Sequence, residues 1–473
     1  MAGSNAAAFD AETTSASEMV AGMERGEWSA VQVLETCLER VGRLDRRGPA
    51  LHALAATDPT ALARAEAADR ERAAGRRGPL LGVPVLVKDN VDVAGLPTTA
   101  GSLALAGWVP PADAPLVARL RDAGAVIAGK ANLTEWANFM TEGMPSGYSA
   151  LGGQVLNPYD LSVTPSGSSS GSASAVAAGM VPLAVGTETN GSILSPANAC
   201  SLVGVKPTVG LVPGGGIVPI SSTQDVAGPL ARTVADAAAL LAVLAGDPDI
   251  ADLAPGGLRG ARIGVADTPV PAGAEDVWSA AQEAIAGSGA TLVPAQLHAE
   301  SPGMYVMTWE FGRDLDAYLA ALPPGQPARS LAEVVAFNEA NAGRELKYGQ
   351  TRLLEALAVD RSDPAAGERY RASRAADLAY SRERLDAAFS GQGLDAVVFP
   401  AEWSSDLGAR SGYPSVSVPA GYDTRGRRPV GVTFLGPARS ERHLLGLAAG
   451  FEAATAARRP ASAINPSAFA GLT

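Results

Sequence analysis

Serine is the residue in which this chain concentrates its chemical capability. Between Thr164 and Pro207 it reads Thr-Pro-Ser-Gly-Ser-Ser-Ser-Gly-Ser-Ala, an apolar run, Gly-Thr-Glu-Thr-Asn-Gly-Ser-Ile-Leu-Ser-Pro, then Val-Gly-Val-Lys-Pro. The stretch holds no histidine, one cysteine (Cys200) and one acid (Glu188). A reaction carried out here is serine chemistry, and a serine hydroxyl needs a base to become a useful nucleophile. Ser192 follows Asn190-Gly191 at a strand-to-helix turn. That is the geometry of an exposed nucleophile whose neighbouring N–H groups face a developing oxyanion. It is equally the place where a serine caps a helix. Upstream, Leu80-Leu-Gly-Val-Pro-Val-Leu-Val-Lys-Asp-Asn90 is a short apolar run bounded by Gly and Pro, the pattern of a buried strand, and Lys88 closes it. A lysine there is expensive to bury unless it is paired or neutral; pairing with Asp89, or snorkelling to solvent, is the alternative reading.

The elements that position these residues alternate. Spacing predicts two helices over 14–44, a third over 61–74, a helix over 116–123 and a strand over 125–128. Asn132, with Glu135 three residues on, reads as the N-cap of a further helix, and 139–157 as loop. Within the serine-rich stretch, 172–180 reads as a helix and 181–185 as a strand. Further on, 232–244, 275–286 and 301–357 read as helical, 363–389 as one long charged helix, and 441–456 as the last. Strands are expected over 261–265, 291–293, 394–399, 415–418 and 430–435. Such alternation is the signature of an α/β layer structure. No internal repeat or linker run interrupts it, which favours a loose tail over 1–13 followed by one α/β unit over 14–473, with the helices of 14–75 packed on its core.

The totals exclude several classes. With 473 residues, 47% hydrophobic and 18% charged, the chain is globular. Its net charge of -12 without a basic tract argues against nucleic acid or an anionic membrane as partner. Two cysteines give no disulfide framework and fit a reducing, cytoplasmic setting. The first residues show no signal-peptide pattern, and no apolar run is long enough to span a bilayer. His52, His298 and His443 are scattered and none lies in a Gly/Ser-rich turn, so no metal site is expected. The glycine-rich loop 210–216 lacks the Gly-Lys-Ser/Thr ending of a phosphate loop and the dinucleotide fingerprint.

At Lys88, Ser168 and Ser192 the sequence resembles the amidase signature family of serine hydrolases. Gly-Val-Pro-Val-Leu-Val-Lys-Asp, Gly-Ser-Ser-Ser-Gly-Ser, Gly-Thr-Glu-Thr-Asn-Gly-Ser-Ile, Gly-Val-Lys-Pro-Thr-Val-Gly-Leu-Val and Gln224-Asp-Val-Ala-Gly-Pro-Leu-Ala-Arg-Thr233 occur in family order. Tyr413-Pro-Ser-Val-Ser-Val-Pro-Ala-Gly421 matches the C-terminal part. Glu135-Trp-Ala-Asn-Phe139 and Ala336-Phe-Asn338 are most similar to the bacterial peptide amidases. The resemblance implies a large α/β/α fold with a central mixed sheet covered by helices on both faces. It implies a Ser–cis-Ser–Lys triad of Ser192, Ser168 and Lys88, with Ser169 a rival for the middle role, and an oxyanion and substrate site around Thr189, Asn190 and Gly191. It implies hydrolysis of a small-molecule or peptide amide through an acyl-enzyme by a cofactor-free monomer or homodimer. The same family includes subunits of tRNA-dependent amidotransferases, and an acyltransferase of secondary metabolism is a further reading. Three positions depart from the pattern: Asn190, where glycine or aspartate is usual, Leu194 in place of a common arginine, and Ser166 in place of a glycine.

Overall fold

The structure is a computed structural model and describes residues 9–253 and 257–471. Residues 1–8 of the expected tail lie outside the described residues; of the remainder, Phe9 packs on Trp28. Thirteen strands carry the fold: β1 (Leu54–Thr57), β2 (Pro84–Lys88), β3 (Val126–Ala131), β4 (Tyr148–Ser149), β5 (Gly153–Gln154), β6 (Leu183–Glu188), β7 (Val203–Lys206), β8 (Val226–Ala231), β9 (Arg262–Ala266), β10 (Thr291–Ala295), β11 (Ala396–Pro400), β12 (Ser415–Tyr422) and β13 (Pro429–Leu435). Eleven of them form one mixed sheet in the order β1-β3-β2-β6-β8-β7-β12-β13-β11-β9-β10, flanked by helices. β3, β2 and β6 run parallel, as do β11, β9 and β10, and the strands between are antiparallel. β2, β6 and β8 are buried along their whole length, which explains their continuous apolar runs.

Two apolar clusters matter for the site. The larger gathers the sheet and the helices against it, among them Ser170–Ala177 and Val234–Ala245. A second, smaller one joins the helices Tyr305–Ala320, Leu331–Ala340 and Thr351–Leu357 to Trp136, Phe139, Met140 and Met144.

Two expectations are corrected and a third, the long charged helix, is refined. The segment from Asn132 does not form a helix: Glu135–Asn138 is a single tight turn with Trp136, Ala137 and Asn138 at φ 50°, 52° and 73°. The Asn132 Oδ1 accepts from the Ser149 hydroxyl at 2.9 Å and from the adjacent Leu133 N–H at 2.8 Å, and its Nδ2 donates to the His52 carbonyl at 2.9 Å, so it reaches no N–H two or three residues on. The loop 139–157 contains the hairpin β4–β5. The long charged helix is Pro364–Leu378 followed by a five-residue π segment, Ala379–Glu383, and the helix Arg384–Gln392.

Candidate active site

β2 and β6 are neighbouring parallel strands, with Val87 opposite Val185. Their carboxyl ends therefore deliver Lys88 and Thr187-Glu188 to the same edge of the sheet, where open α/β sheets place their ligands. Lys88 is completely buried. Asp89 is not its partner, because Asp89 forms a buried ion pair with Lys130 of β3 at 3.0 Å. The Lys88 Nζ meets only neutral oxygens: Ser168 Oγ at 2.8 Å, Thr187 Oγ1 at 2.9 Å and the Thr187 carbonyl at 3.1 Å. Burial of an amine without an adjacent counter-charge lowers its pKa from 10.5 to about 7, with the Glu188 and Asp225 charges opposing part of the shift.

Ser168 follows a cis peptide bond, Gly167–Ser168. A Cβ on Gly167 would lie 2.4 Å from Thr134 Oγ1, so only glycine fits there. The neighbouring Ser169 hydroxyl is already engaged at both ends, donating to the Thr187 carbonyl at 3.1 Å and accepting from the Thr187 N–H at 3.2 Å. Its backbone N–H donates to the Ser192 carbonyl at 3.1 Å, which seats the Ser192 turn beside Ser168. Thr187 Oγ1 also accepts from Asn90 Nδ2 at 3.0 Å.

The turn that carries Ser192 is held by carboxylates. Glu188 Oε2 accepts from the Ile193 and Leu194 N–H groups at 2.7 and 2.9 Å, and the helix Leu194–Ala199 begins there. Glu188 thus does the work a capping serine would do. The Ser192 hydroxyl has no hydrogen-bond partner among the described residues, Ser168 included, and it lines an open cleft of about 520 Å³. Gly191 turns the chain at φ 82°, a conformation that favours glycine. The N–H groups of Asn190, Gly191 and Ser192 donate to no described residue. Thr189 Oγ1 donates to Asp225 Oδ1 at 2.5 Å, and Asp225 Oδ2 accepts from Ile220 and Ser221 N–H groups at 2.8 and 2.9 Å. Burial pushes the Asp225 carboxyl up to about 6. Asn190 donates through Nδ2 to Asp406 Oδ1 at 2.9 Å.

Lys88, Ser168, Thr189, Asn190, Gly191 and Ser192 therefore converge on one edge of the sheet, although Leu194, in the same motif, is wholly buried and does not face the cleft. The opposite wall comes from the second apolar cluster: Phe139, Met144 and Met307 line the cleft with Ile220. Of the aromatic residues near the motifs, Trp136 is buried and Trp309 stacks on Tyr370. Thr187, Asn90 and Asp225 lie within the sequence motifs, which give them no role of their own, and nothing local marks Asp406, which arrives from the helix Ser405–Ser411. Among the described residues no cluster of His, Cys, Asp and Glu is placed to hold a metal ion, and no helix is long and apolar enough to cross a membrane.

Comparison with known proteins bears on this arrangement. Residues 32–410 match the family model described as Amidase. A probable amidase of Arabidopsis thaliana is 41% identical, over 91% of this chain and 87% of its own length. A glutamyl-tRNA(Gln) amidotransferase subunit from Salinispora arenicola is 36% identical, over 94% of this chain and 98% of its own. Among solved structures, the native peptide amidase from Stenotrophomonas maltophilia superposes with a TM-score of 0.87 at 43% identity, covering 95% of this chain and 98% of that one.

Proposed function

The chain belongs to the amidase family, and from that premise we propose that it is a stand-alone amide hydrolase using Ser192, Ser168 and Lys88. The observation that carries this reading is the pairing of a fully buried lysine, free of an adjacent counter-charge and 2.8 Å from Ser168, with an unpartnered serine on the cleft. A neutral Lys88 accepts the Ser168 proton as Ser168 takes the proton of Ser192. The freed Ser192 oxygen attacks the amide carbonyl. The tetrahedral oxyanion is held by the free N–H groups of 190–192, where the loss of one donor costs roughly 10²–10³ in rate. The proton returns through Ser168 to the leaving nitrogen, the C–N bond breaks, and ammonia or an amine departs. Water then attacks the acyl-enzyme by the same relay, giving a carboxylic acid and restoring Ser192.

The cleft supports a choice of substrate class. It is open, about 520 Å³, and walled by Phe139, Met144 and Met307, which suits a carboxamide on a larger body such as a peptide C-terminal amide. The similarity to the peptide amidase supports the same choice. Ammonia release from peptide, aryl and short aliphatic amides tests the reading. Turnover on at least one panel member, lost in Ser192→Ala, is expected. Turnover that survives in Ser192→Ala, or activity only in complex with other subunits, would reject the stand-alone triad.

A further inference from the structure

Asn190 lies two residues before Ser192 and lines the same cleft. Its side chain is not free to turn. Nδ2 donates to Asp406 Oδ1 at 2.9 Å, and Asp406 is itself fixed by the Arg410 Nε at 2.8 Å and the Ser301 hydroxyl at 2.6 Å. Arg410 is anchored in turn by the buried Asp377. A carboxylate paired with a guanidinium offers only acceptors, so only the amino end of the Asn190 amide can meet it. The orientation of that amide is set by this chemistry. The other end, Oδ1, has no partner among the described residues and is an acceptor on the lining of the cleft.

We propose that Asn190 Oδ1 accepts a hydrogen bond from the N–H of the scissile carboxamide, with Asp406 as the positioning residue that turns it that way. The assignment rests on the hydrolase reading above. In it, the backbone of 190–192 holds the carbonyl oxygen while the Asn190 side chain holds the nitrogen. A primary amide has two N–H bonds: one meets Oδ1, and the nitrogen lone pair is left turned toward the proton returning from Ser168. An ester of the same acid has no N–H. Its leaving oxygen brings a lone pair against Oδ1, and a site built to pair with an N–H discriminates against the analogue that lacks it.

The experiment compares kcat/KM for a peptide amide and for the methyl ester of the same peptide, with ammonia and methanol as readouts. In Asn190→Ala the amide-to-ester ratio is expected to fall roughly 10- to 100-fold, the worth of one buried hydrogen bond to substrate. Asp406→Ala releases the Asn190 amide and lowers the ratio in the same direction by a smaller factor. A ratio that stays at the wild-type value in Asn190→Ala, whether or not both rates drop, overturns the proposal. A ratio unmoved in Asp406→Ala alone overturns the positioning role. Wild-type protein inert toward amide and ester alike rejects the hydrolase reading and this assignment with it.

Discussion

Lys88→Met measures what an amine without an adjacent counter-charge costs this fold. Lys88 is completely buried and its pKa falls from 10.5 to about 7. At about 1.4 kcal/mol per pH unit, that drop corresponds to roughly 5 kcal/mol of folding free energy withheld at pH 7 and below. Methionine fills a similar volume without a charge to desolvate. Its own cost is small: Thr187 Oγ1 keeps Asn90, the Thr187 carbonyl keeps Ser169, and only the Ser168 hydroxyl loses its partner, about 1–2 kcal/mol. The variant should therefore be inactive yet more stable at neutral pH, by about 3 kcal/mol. The sign of its pH dependence is fixed. The unfolded lysine holds its proton up to 10.5 while the native one releases it near 7, so wild-type stability rises with pH across that window. The advantage of Lys88→Met must shrink as pH climbs and vanish before about 10.5. Urea denaturation at pH 7 and 9.5, beside an ammonia-release assay, reads both effects. A variant destabilised equally at both pH values would show that Lys88 is a charged structural lysine, and the base assignment would fail.

Three further outcomes follow from the same geometry. The kcat/KM profile should rise through an acid limb near pH 7 as Lys88 loses its proton, and a limb near pH 4–5 or none at all would point to another base. Glu188→Leu leaves the Ile193 and Leu194 N–H groups without an acceptor; a loss of about 2–4 kcal/mol in urea, with a drop in kcat, is expected, and unchanged turnover would show that the turn holds itself. Glu135 is buried beside Glu345, and burial and that neighbour raise its pKa well above 4.5. The native pair thus keeps a proton that the unfolded chain gives up, and its contribution declines as pH rises above about 4.5. Glu345→Gln supplies a permanent donor, so its thermal stability should gain on wild type between pH 5 and pH 8; parallel Tm curves would exclude the shared proton.

The sequence made the strand ending in Lys88 legible because an apolar run bounded by Gly and Pro has few other readings. It did not say what Lys88 pairs with. Asp89 is adjacent in sequence, yet it lies in the turn just past the end of β2, where its carboxylate meets Lys130 of β3 instead. The expected helix at Asn132 failed for a related reason. Its capping pattern is a local one, whereas the Asn132 side chain is claimed by His52 and Ser149 and the Glu135 carboxyl by the Ala150 N–H. β1, β7 and β8 are absent from the expected strands because Leu54–Thr57, Val203–Lys206 and Val226–Ala231 are interrupted by Ala, Gly or Pro, residues that carry little strand signal. Asp406 and Arg410 were invisible because their link to Asn190 spans more than two hundred residues.

The serine at 192 shows where local reading stops and tertiary chemistry takes over. A serine at the start of a helix has two competing fates, since the same hydroxyl that caps the first N–H groups is then unavailable for attack. Nothing at Ser192 itself separates them. The separation comes from Glu188, at the end of β6, whose single oxygen Oε2 satisfies both helix-start donors. Ser169 is the converse: it sits next to Ser168 in the same run, but both ends of its hydroxyl are committed to Thr187. Of three serines that the sequence offers on similar terms, one is tied to the backbone, one touches the buried amine, and one is left free on the cleft. On the proposed reading, reactivity is assigned by which hydroxyl the surrounding acceptors and donors leave unused.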